Sequence, residues 1–271
     1  MTYTTLDLSV DAAVATVRLN RPDALNTMTP EFWEEMVTVF GEIESRSDIR
    51  CVVIASTGRH FTAGLDLKSF ADLQSNPELD IGRQREAFRR KVKEMQESFS
   101  VIDRCRVPVI AVIQGGCIGG GVDLVTACDM RVMTANAYFT IQEINIGIVA
   151  DVGTLQRMPD QVPPAILREL AYTGRKFGAE EAARYGFVNA VADTHEAALE
   201  AAYTLAKDIA AKSPLAMTGI KSVLNYSRDH SVASSLDYVA TWNAAMLQGD
   251  DPEAAMRAVM TKQQATFKDL G

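Results

Sequence analysis

The chain has 271 residues, of which 47% are hydrophobic and 23% charged, and its formal net charge is −8. This composition is typical of a soluble globular protein with enough residues for a large core. The acidic balance counts against nucleic acid as the main partner, because neutralising phosphates requires a basic face. The sequence contains no apolar run near the about 20 residues that span a bilayer, so no membrane partner is expected.

The N-terminal half predicts alternating strands and helices. Residues 3–20 predict a two-stranded hairpin because apolar side chains alternate. Thr29 is expected to cap a helix with Pro30 in its first turn. Runs 51–55 and 107–113 are continuously apolar, which is typical of buried parallel strands. A long helix within 79–106 is predicted from a seam of apolar residues, namely Phe88, Val92, Met95, Phe99 and Ile102.

That long helix also carries six cations on its other faces. These are Arg83, Arg85, Arg89, Arg90, Lys91 and Lys93. They suit either a solvated face or the attraction of phosphate groups, and a solvated face is the simpler interpretation.

The C-terminal half is predicted to be mainly helical. Helices are expected at 165–172 and 179–185, a short strand at 186–191, and then helices at 196–212, 215–227, 231–248 and 252–267. The last third is rich in alanine and methionine, which indicates a packing surface more than a solvated tail.

A glycine-rich turn is the strongest local signal. Five of the seven residues 115–121 are glycine, directly after the run 107–113 and before an apolar segment starting at Val122 that predicts a helix. Glycines there allow a ligand to approach backbone amides closely, and free N–H groups at a helix start favour an oxygen anion. A tight turn without chemistry is the alternative.

Three acidic residues near this turn predict a site. Asp123 follows the glycines, and Glu143 and Asp151 each lie alone in apolar sequence. A buried carboxylate is unfavourable unless it is paired or functional. A single one is often an ion-pair partner, but three in so short a segment favour a catalytic cluster.

Other catalytic classes find little support. The four cysteines show no CxxC pairing and are expected to be buried, reduced thiols. The three histidines, His60, His195 and His230, are too scattered for a relay with Cys117 or for a metal site. No Gly-Lys-Ser/Thr follows the glycines, which counts against a nucleotide-binding P-loop.

The segment Phe61-Thr62-Ala63-Gly64-Leu65-Asp66-Leu67, with the glycine turn, resembles the enoyl-CoA hydratase/isomerase (crotonase) superfamily. The triple of Asp123, Glu143 and Asp151, within Ala150-Asp151-Val152-Gly153-Thr154-Leu155-Gln156-Arg157, resembles its Δ3,5-Δ2,4-dienoyl-CoA isomerase branch. The resemblance runs from about Val17 to the C-terminal helices.

The resemblance implies a role for each site residue. The N–H groups of Leu65 and Gly120 would form an oxyanion hole for a thioester carbonyl, and Ala63, Gly64 and Asp66 would line the CoA side, where Arg21 also borders the groove. For Asp66, capping the following segment is the simpler role.

The carboxylates would then carry the proton transfers. Glu143 would serve C2 and Asp151 would serve C6, with Asp123 supporting them. The expected partner is an acyl-CoA thioester in fatty acid β-oxidation. CoA is part of that substrate, so neither a separate cofactor nor a metal is expected.

The resemblance also implies an α/β fold, a spiral of ββα units with a C-terminal helical trimerisation region. Residues 1–195 would form the core with the active site, and 196–271 the oligomerisation region of a trimer or a hexamer. Residues 1–8 lack a signal peptide, and the last residues are not a peroxisomal address, so a prokaryote-like cytoplasmic location is expected.

Two alternatives remain at this point. One is enoyl-CoA hydration in the same fold, although family hydratases place Glu at both the 123 and 143 positions, whereas this chain has Asp123 and the additional Asp151. The other is a non-enzymatic RNA- or protein-binding relative, which the acidic balance and the three carboxylates disfavour.

Overall fold

The strands of the protein form one large and one small sheet. A computed structural model describes residues 3–68 and 79–271. Its strands are β1 (Leu6–Asp11), β2 (Val14–Leu19), β3 (Cys51–Ser56), β4 (Val109–Ile113), β5 (Gly116–Ile118), β6 (Met130–Thr134), β7 (Tyr138–Thr140), β8 (Phe177–Gly178) and β9 (Ala190–Ala192). The large sheet has the order β1-β2-β3-β4-β6-β9 and the small sheet the order β5-β7-β8. Among the strand pairs within residues 3–68 and 79–271, only β1–β2 and β7–β8 are antiparallel.

The helices alternate with the strands and then dominate the C-terminal third. They are α1 (Pro30–Glu44), α2 (Ile81–Arg104), α3 (Gly120–Thr126), α4 (Thr154–Arg157), α5 (Pro164–Thr173), α6 (Ala179–Arg184), α7 (His195–Ala210), α8 (Pro214–Asp229), α9 (Val232–Met246) and α10 (Asp250–Thr261). Within the described ranges, no helix is both long and apolar enough to cross a membrane.

Both faces of the large sheet are buried at its central strands, which is why β3 and β4 are continuously apolar. On one face, Val52 and Ile54 of β3 belong to the core cluster that includes α1 and α2. On the other face, Val53 packs with the small residues Ala198 and Ala202 of α7. Helix α7 therefore covers the sheet, although the predicted boundary at 195/196 assigns it to the C-terminal region. That division stays a prediction.

The parallel pairing of β3 with β4 brings the two sequence motifs together. The loops that follow these neighbouring strands leave the same edge of the sheet. Beyond the strands, Thr62 donates its N–H to Gly116 O at 3.1 Å, and Ile118 donates to Thr62 O at 3.1 Å. The segment around Leu65 and the glycine turn are thus joined side by side.

Two predicted elements differ from the structure. The strand predicted at 186–191 is only Ala190–Ala192, because Gly186 has a φ of +72° and Phe187 N–H bonds back to Ala182 O at the end of α6. The helix predicted at 252–267 ends at Thr261, where Lys262 adopts a left-handed conformation with a φ of +54°.

Two predicted helix details also need correction. Thr29 occupies the N-cap position of α1, but its side chain accepts no hydrogen bond from the helix amides. Of the seam predicted in α2, Met95, Phe99 and Ile102 are buried, whereas Phe88 is 36% exposed. The cations of α2 lie on the surface, where Arg83, Arg89 and Lys91 pair with acidic neighbours, so the solvated-face interpretation fits.

Candidate active site

Nearly all of the predicted site residues line one cavity. It has a volume of about 1010 Å³ and is lined by Ala63, Leu65, Asp66, Gly120, Asp123, Glu143 and Asp151. Gly64 does not line it but lies directly behind its wall, where a Cβ on Gly64 would be 2.6 Å from Ile118 O and 3.5 Å from Gly120 N. The residues that sequence reasoning grouped therefore lie together around one cavity, and their roles stay predictions.

Two backbone amides are left available in this cavity. Met28 pairs with Leu65 as a parallel bridge in which Met28 N–H bonds Gly64 O and Asp66 N–H bonds Met28 O. Leu65 N–H therefore points away from Met28. Gly120 begins α3, so its N–H has no partner within the helix. Among residues 3–68 and 79–271, neither amide donates a hydrogen bond to the protein.

Asp123 is the most deeply buried of the three carboxylates. It lies in the first turn of α3, is 1% exposed, and accepts a 2.6 Å hydrogen bond at Oδ1 from Thr154 N–H. Burial, together with the negative charge of the nearby Asp151, raises the pKa of Asp123 to about 6 against the opposing effect of the hydrogen bond from Thr154. This carboxylate therefore also holds the start of α4.

Glu143 lies beside the glycine turn. It sits in a 3-10 helix, Gln142–Ile146, and a Cβ on Gly119 would be 3.2 Å from Glu143 Oε1. Its Oε2 is buried without a hydrogen-bond partner among the described residues. Burial, with the negative charges of Asp123 and Asp151, raises the pKa of Glu143 to about 7. Such a group can accept or release a proton near neutral pH.

Asp151 lies in the irregular segment between that 3-10 helix and α4. Its side chain lines the cavity and is partly buried, and burial raises its pKa above the ordinary value. Gln96 of α2 donates from Nε2 to the backbone oxygen of Asp151 at 2.7 Å. The site thus contains three carboxyl groups whose pKa values are all raised above the ordinary value, which suits both proton acceptance and proton donation.

The sequence interpretation missed most of the apolar wall. Further lining residues include Trp33, Phe88, Met95, Ile118, Ile146, Ile148, Val149 and Val152, with Arg21 and Lys68 as cations. Trp33 lies on α1, and the periodicity of apolar residues along a helix does not distinguish a cavity wall from a core contact.

Asp66 fits the capping role, because its Oδ1 accepts a 3.1 Å hydrogen bond from Lys68 N–H. The four cysteines are free and buried, as predicted. No group of three or more potential metal ligands occurs in the part of the chain that the structure describes. The expectation of catalysis without a metal or cofactor stays a prediction.

Two relatives are nearly half identical to this chain over the residues that align. The mitochondrial Δ3,5-Δ2,4-dienoyl-CoA isomerase of Rattus norvegicus is 45% identical over 267 residues, which cover 97% of this chain and 82% of the relative. The peroxisomal Δ3,5-Δ2,4-dienoyl-CoA isomerase of Arabidopsis thaliana is 43% identical over 273 residues, covering 99% and 98%. These relatives confirm the predicted resemblance to that branch. Their organelle names contradict the predicted cytoplasmic location, which is therefore wrong.

The fold prediction is also confirmed. An enoyl-CoA hydratase from Bacillus anthracis superposes with a TM-score of 0.88 at 25% identity, covering 98% of this chain and 99% of that structure. The family model described as enoyl-CoA hydratase/isomerase matches residues 9–270. The chain therefore belongs to the enoyl-CoA hydratase/isomerase family.

Proposed function

We propose that this protein is a Δ3,5-Δ2,4-dienoyl-CoA isomerase that acts in fatty acid β-oxidation. The observation that carries the proposal is a third carboxylate, Asp151, in the same cavity as Asp123, Glu143 and two available amides. The relatives from Rattus norvegicus and Arabidopsis thaliana bear the name of this activity.

The oxyanion step is assigned to Leu65 and Gly120. Removing a proton next to a thioester carbonyl creates an enolate whose oxygen carries negative charge. Two N–H groups aimed at that oxygen stabilise it, and the loss of one such donor typically costs about 10²–10³ in kcat. The thioester oxygen would lie between the two amides, with the cations Arg21 and Lys68 of the cavity available to the CoA phosphates.

The two proton transfers are assigned to Glu143 and Asp151. Ionised Glu143 takes a proton from C2 of the 3,5-dienoyl chain, which spreads charge from the thioester oxygen to C6. Protonated Asp151 then donates to C6, and the double bonds move to C2–C3 and C4–C5. One proton leaves carbon and one arrives, so the reaction is a balanced isomerisation. Asp123 assists by raising the pKa of Glu143 and by binding Thr154 N–H.

A direct assay separates this proposal from hydration. Purified protein is incubated with a 3,5-dienoyl-CoA and, separately, with a 2-enoyl-CoA. We expect the absorbance of a conjugated 2,4-dienoyl thioester to appear with the first substrate and little water addition with the second. Rapid hydration of the 2-enoyl-CoA without diene isomerisation would instead favour the hydratase alternative.

The oligomeric state is part of the same proposal. Helices α8 to α10 expose large apolar side chains, among them Leu224, Val232, Val259 and Met260. Several large exposed apolar side chains in one region of the chain favour an interaction face. We therefore propose that this region joins copies of the chain as a trimer or as a hexamer of two trimers.

A further inference from the structure

The backbone that carries Asp151 has no regular structure of its own. Residues 148–153 lie between the 3-10 helix Gln142–Ile146 and α4, outside any helix or strand. Proton delivery to one carbon requires a carboxyl group held in a narrow range of positions, since a misplacement of about 1 Å can cost about 10²-fold in rate. Contacts from other elements must therefore fix this segment.

Arg157 makes the central contact with this segment. Gly153 has a φ of +143°, and a Cβ there would be 1.9 Å from Arg157 Nη1, so the guanidinium occupies the space that a side chain at 153 would need. Arg157 Nη1 also donates to Val152 O at 3.5 Å. The guanidinium thus packs against the two residues that follow Asp151.

Helix α2 holds that guanidinium from the other side. Arg157 Nε donates to Asp103 Oδ2 at 3.3 Å, and Nη2 donates to Ser100 Oγ at 3.2 Å. The side chains of Arg157 and Asp103 are only 13% and 17% exposed. One planar group therefore connects α2 to the Asp151 segment with three donors in different directions, an arrangement that a lysine ammonium does not reproduce.

Asp103 is also bound by the C-terminal region. Arg228 of α8 donates from both terminal nitrogens to the Asp103 carboxylate, at 3.1 Å each. Asn225 of the same helix donates to Asp103 O at 2.9 Å. A continuous series of contacts, Arg228 to Asp103 to Arg157, thus runs from α8 to the segment that carries Asp151.

We propose that Arg157 and Asp103 are positioning residues that hold Asp151 for proton delivery to C6, and that Arg228 couples them to α8. The proposal rests on the proposed function for the role of Asp151. Neither Arg157 nor Asp103 lines the cavity, so both act through the backbone of the segment and not by touching the substrate.

A charge effect is the competing explanation. Arg157 lies near enough to Asp123 to favour its ionised form, so loss of the cation would raise the pKa of Asp123. A charge effect would move the pH dependence of turnover, and Arg157→Lys would restore activity. A positioning effect lowers kcat at every pH, and Arg157→Lys would not restore it.

The experiment compares Arg157→Gln, Arg157→Lys and Arg228→Gln with the wild type. For Arg157→Gln we expect kcat to fall by about 10²-fold, with KM and hydrogen exchange at substrate C2 retained, because Glu143 and the oxyanion amides remain. Arg157→Lys should resemble Arg157→Gln, and Arg228→Gln should show a smaller loss of the same kind. Backbone amide exchange in 148–157, measured by mass spectrometry, should become faster in all three.

Arg104→Gln is the matched control, because Arg104 lies on α2 directly after Asp103 and pairs with the exposed side chain of Glu97. It should leave kcat and amide exchange unchanged. Wild-type kcat and amide exchange in Arg157→Gln would overturn the proposal. A shifted pH profile in Arg157→Gln together with full rescue by Arg157→Lys would also overturn it. Amide exchange needs no substrate, so it tests the contacts even if the wild type fails to isomerise dienes, a result that would refute the proposed function alone.

Discussion

Replacing Gly64 by alanine should damage the oxyanion site more than it damages the fold. Gly64 has a φ of +83°, and its new Cβ would lie 2.6 Å from Ile118 O and 3.5 Å from Gly120 N. An L-residue in the left-handed region costs roughly 1–2 kcal/mol. The overlap adds a second cost, because Ile118 O and the new Cβ must separate by about 0.8 Å to reach ordinary contact at 3.4 Å.

That separation moves apart the two backbone segments that carry the oxyanion amides. Leu65 follows Gly64 directly, and Gly120 lies two residues after Ile118. A shift approaching 1 Å between the two donors should cost about 10²-fold in kcat, similar to losing one donor. The carboxylates are unchanged, so the loss should appear equally in C2 hydrogen exchange and in turnover.

Gly186→Ala provides a matched control for the backbone strain. Gly186 has a similar φ of +72°, but no atom lies within 4 Å of its added Cβ. In denaturant unfolding, backbone strain should lower the free energy of unfolding by a comparable amount in both variants. Gly64→Ala should lose more, because its Cβ also overlaps with Ile118 O. Proton NMR measures the exchange of C2 hydrogen in heavy water, and only Gly64→Ala should lose this exchange. Wild-type exchange rates in a folded Gly64→Ala protein would refute the reasoning.

Four further predictions concern the same site and the proposed assembly. C2 hydrogen exchange should rise with pH through an apparent pKa of about 7, as Glu143 ionises, and Asp123→Asn should lower that pKa by removing a neighbouring negative charge. Because the pKa of Glu143 is raised on folding from 4.5 to about 7, this group's contribution to unfolding free energy should fall as pH rises between those values. Gly120→Pro should abolish exchange, since proline removes the N–H; near-normal kinetics in a folded variant would contradict the assignment. Deleting residues 252–271 should reduce the particle mass in light scattering or cause aggregation, and an unchanged mass with full activity would contradict the interface.

Local sequence signals predicted the elements that contain the site. The continuously apolar runs became β3 and β4 because both faces of the large sheet are covered. Because these two strands pair in parallel, the two glycine-bearing motifs that follow them lie side by side and form one wall of the cavity. The strand predicted at 186–191 was wrong over most of its length. Phe187 and its neighbours are apolar and so suggested a strand, but Gly186 adopts a positive φ and ends α6 in a turn.

Long-range contacts could not be predicted from the sequence. Nothing in the sequence near Asp123 indicates that Thr154 N–H would bind it 31 residues away. Helical periodicity predicted that Phe88 and Met95 lie on one side of α2. It did not predict the cavity that these two residues border. Gln96 and Arg157 looked like ordinary polar residues, because their partners near Asp151 are backbone atoms of a segment without periodicity.

Deuterium incorporation by Asp151→Asn tests whether Asp151 delivers the proton to C6. Asparagine is nearly isosteric with aspartate but carries no acidic proton. In heavy water, this variant should exchange C2 hydrogen of a 3,5-dienoyl-CoA while forming no 2,4-dienoyl product, whereas Glu143→Gln should lose both reactions. Wild-type product should carry deuterium at C6. Isomerisation by Asp151→Asn at the wild-type rate would contradict the proposed role of the third carboxylate.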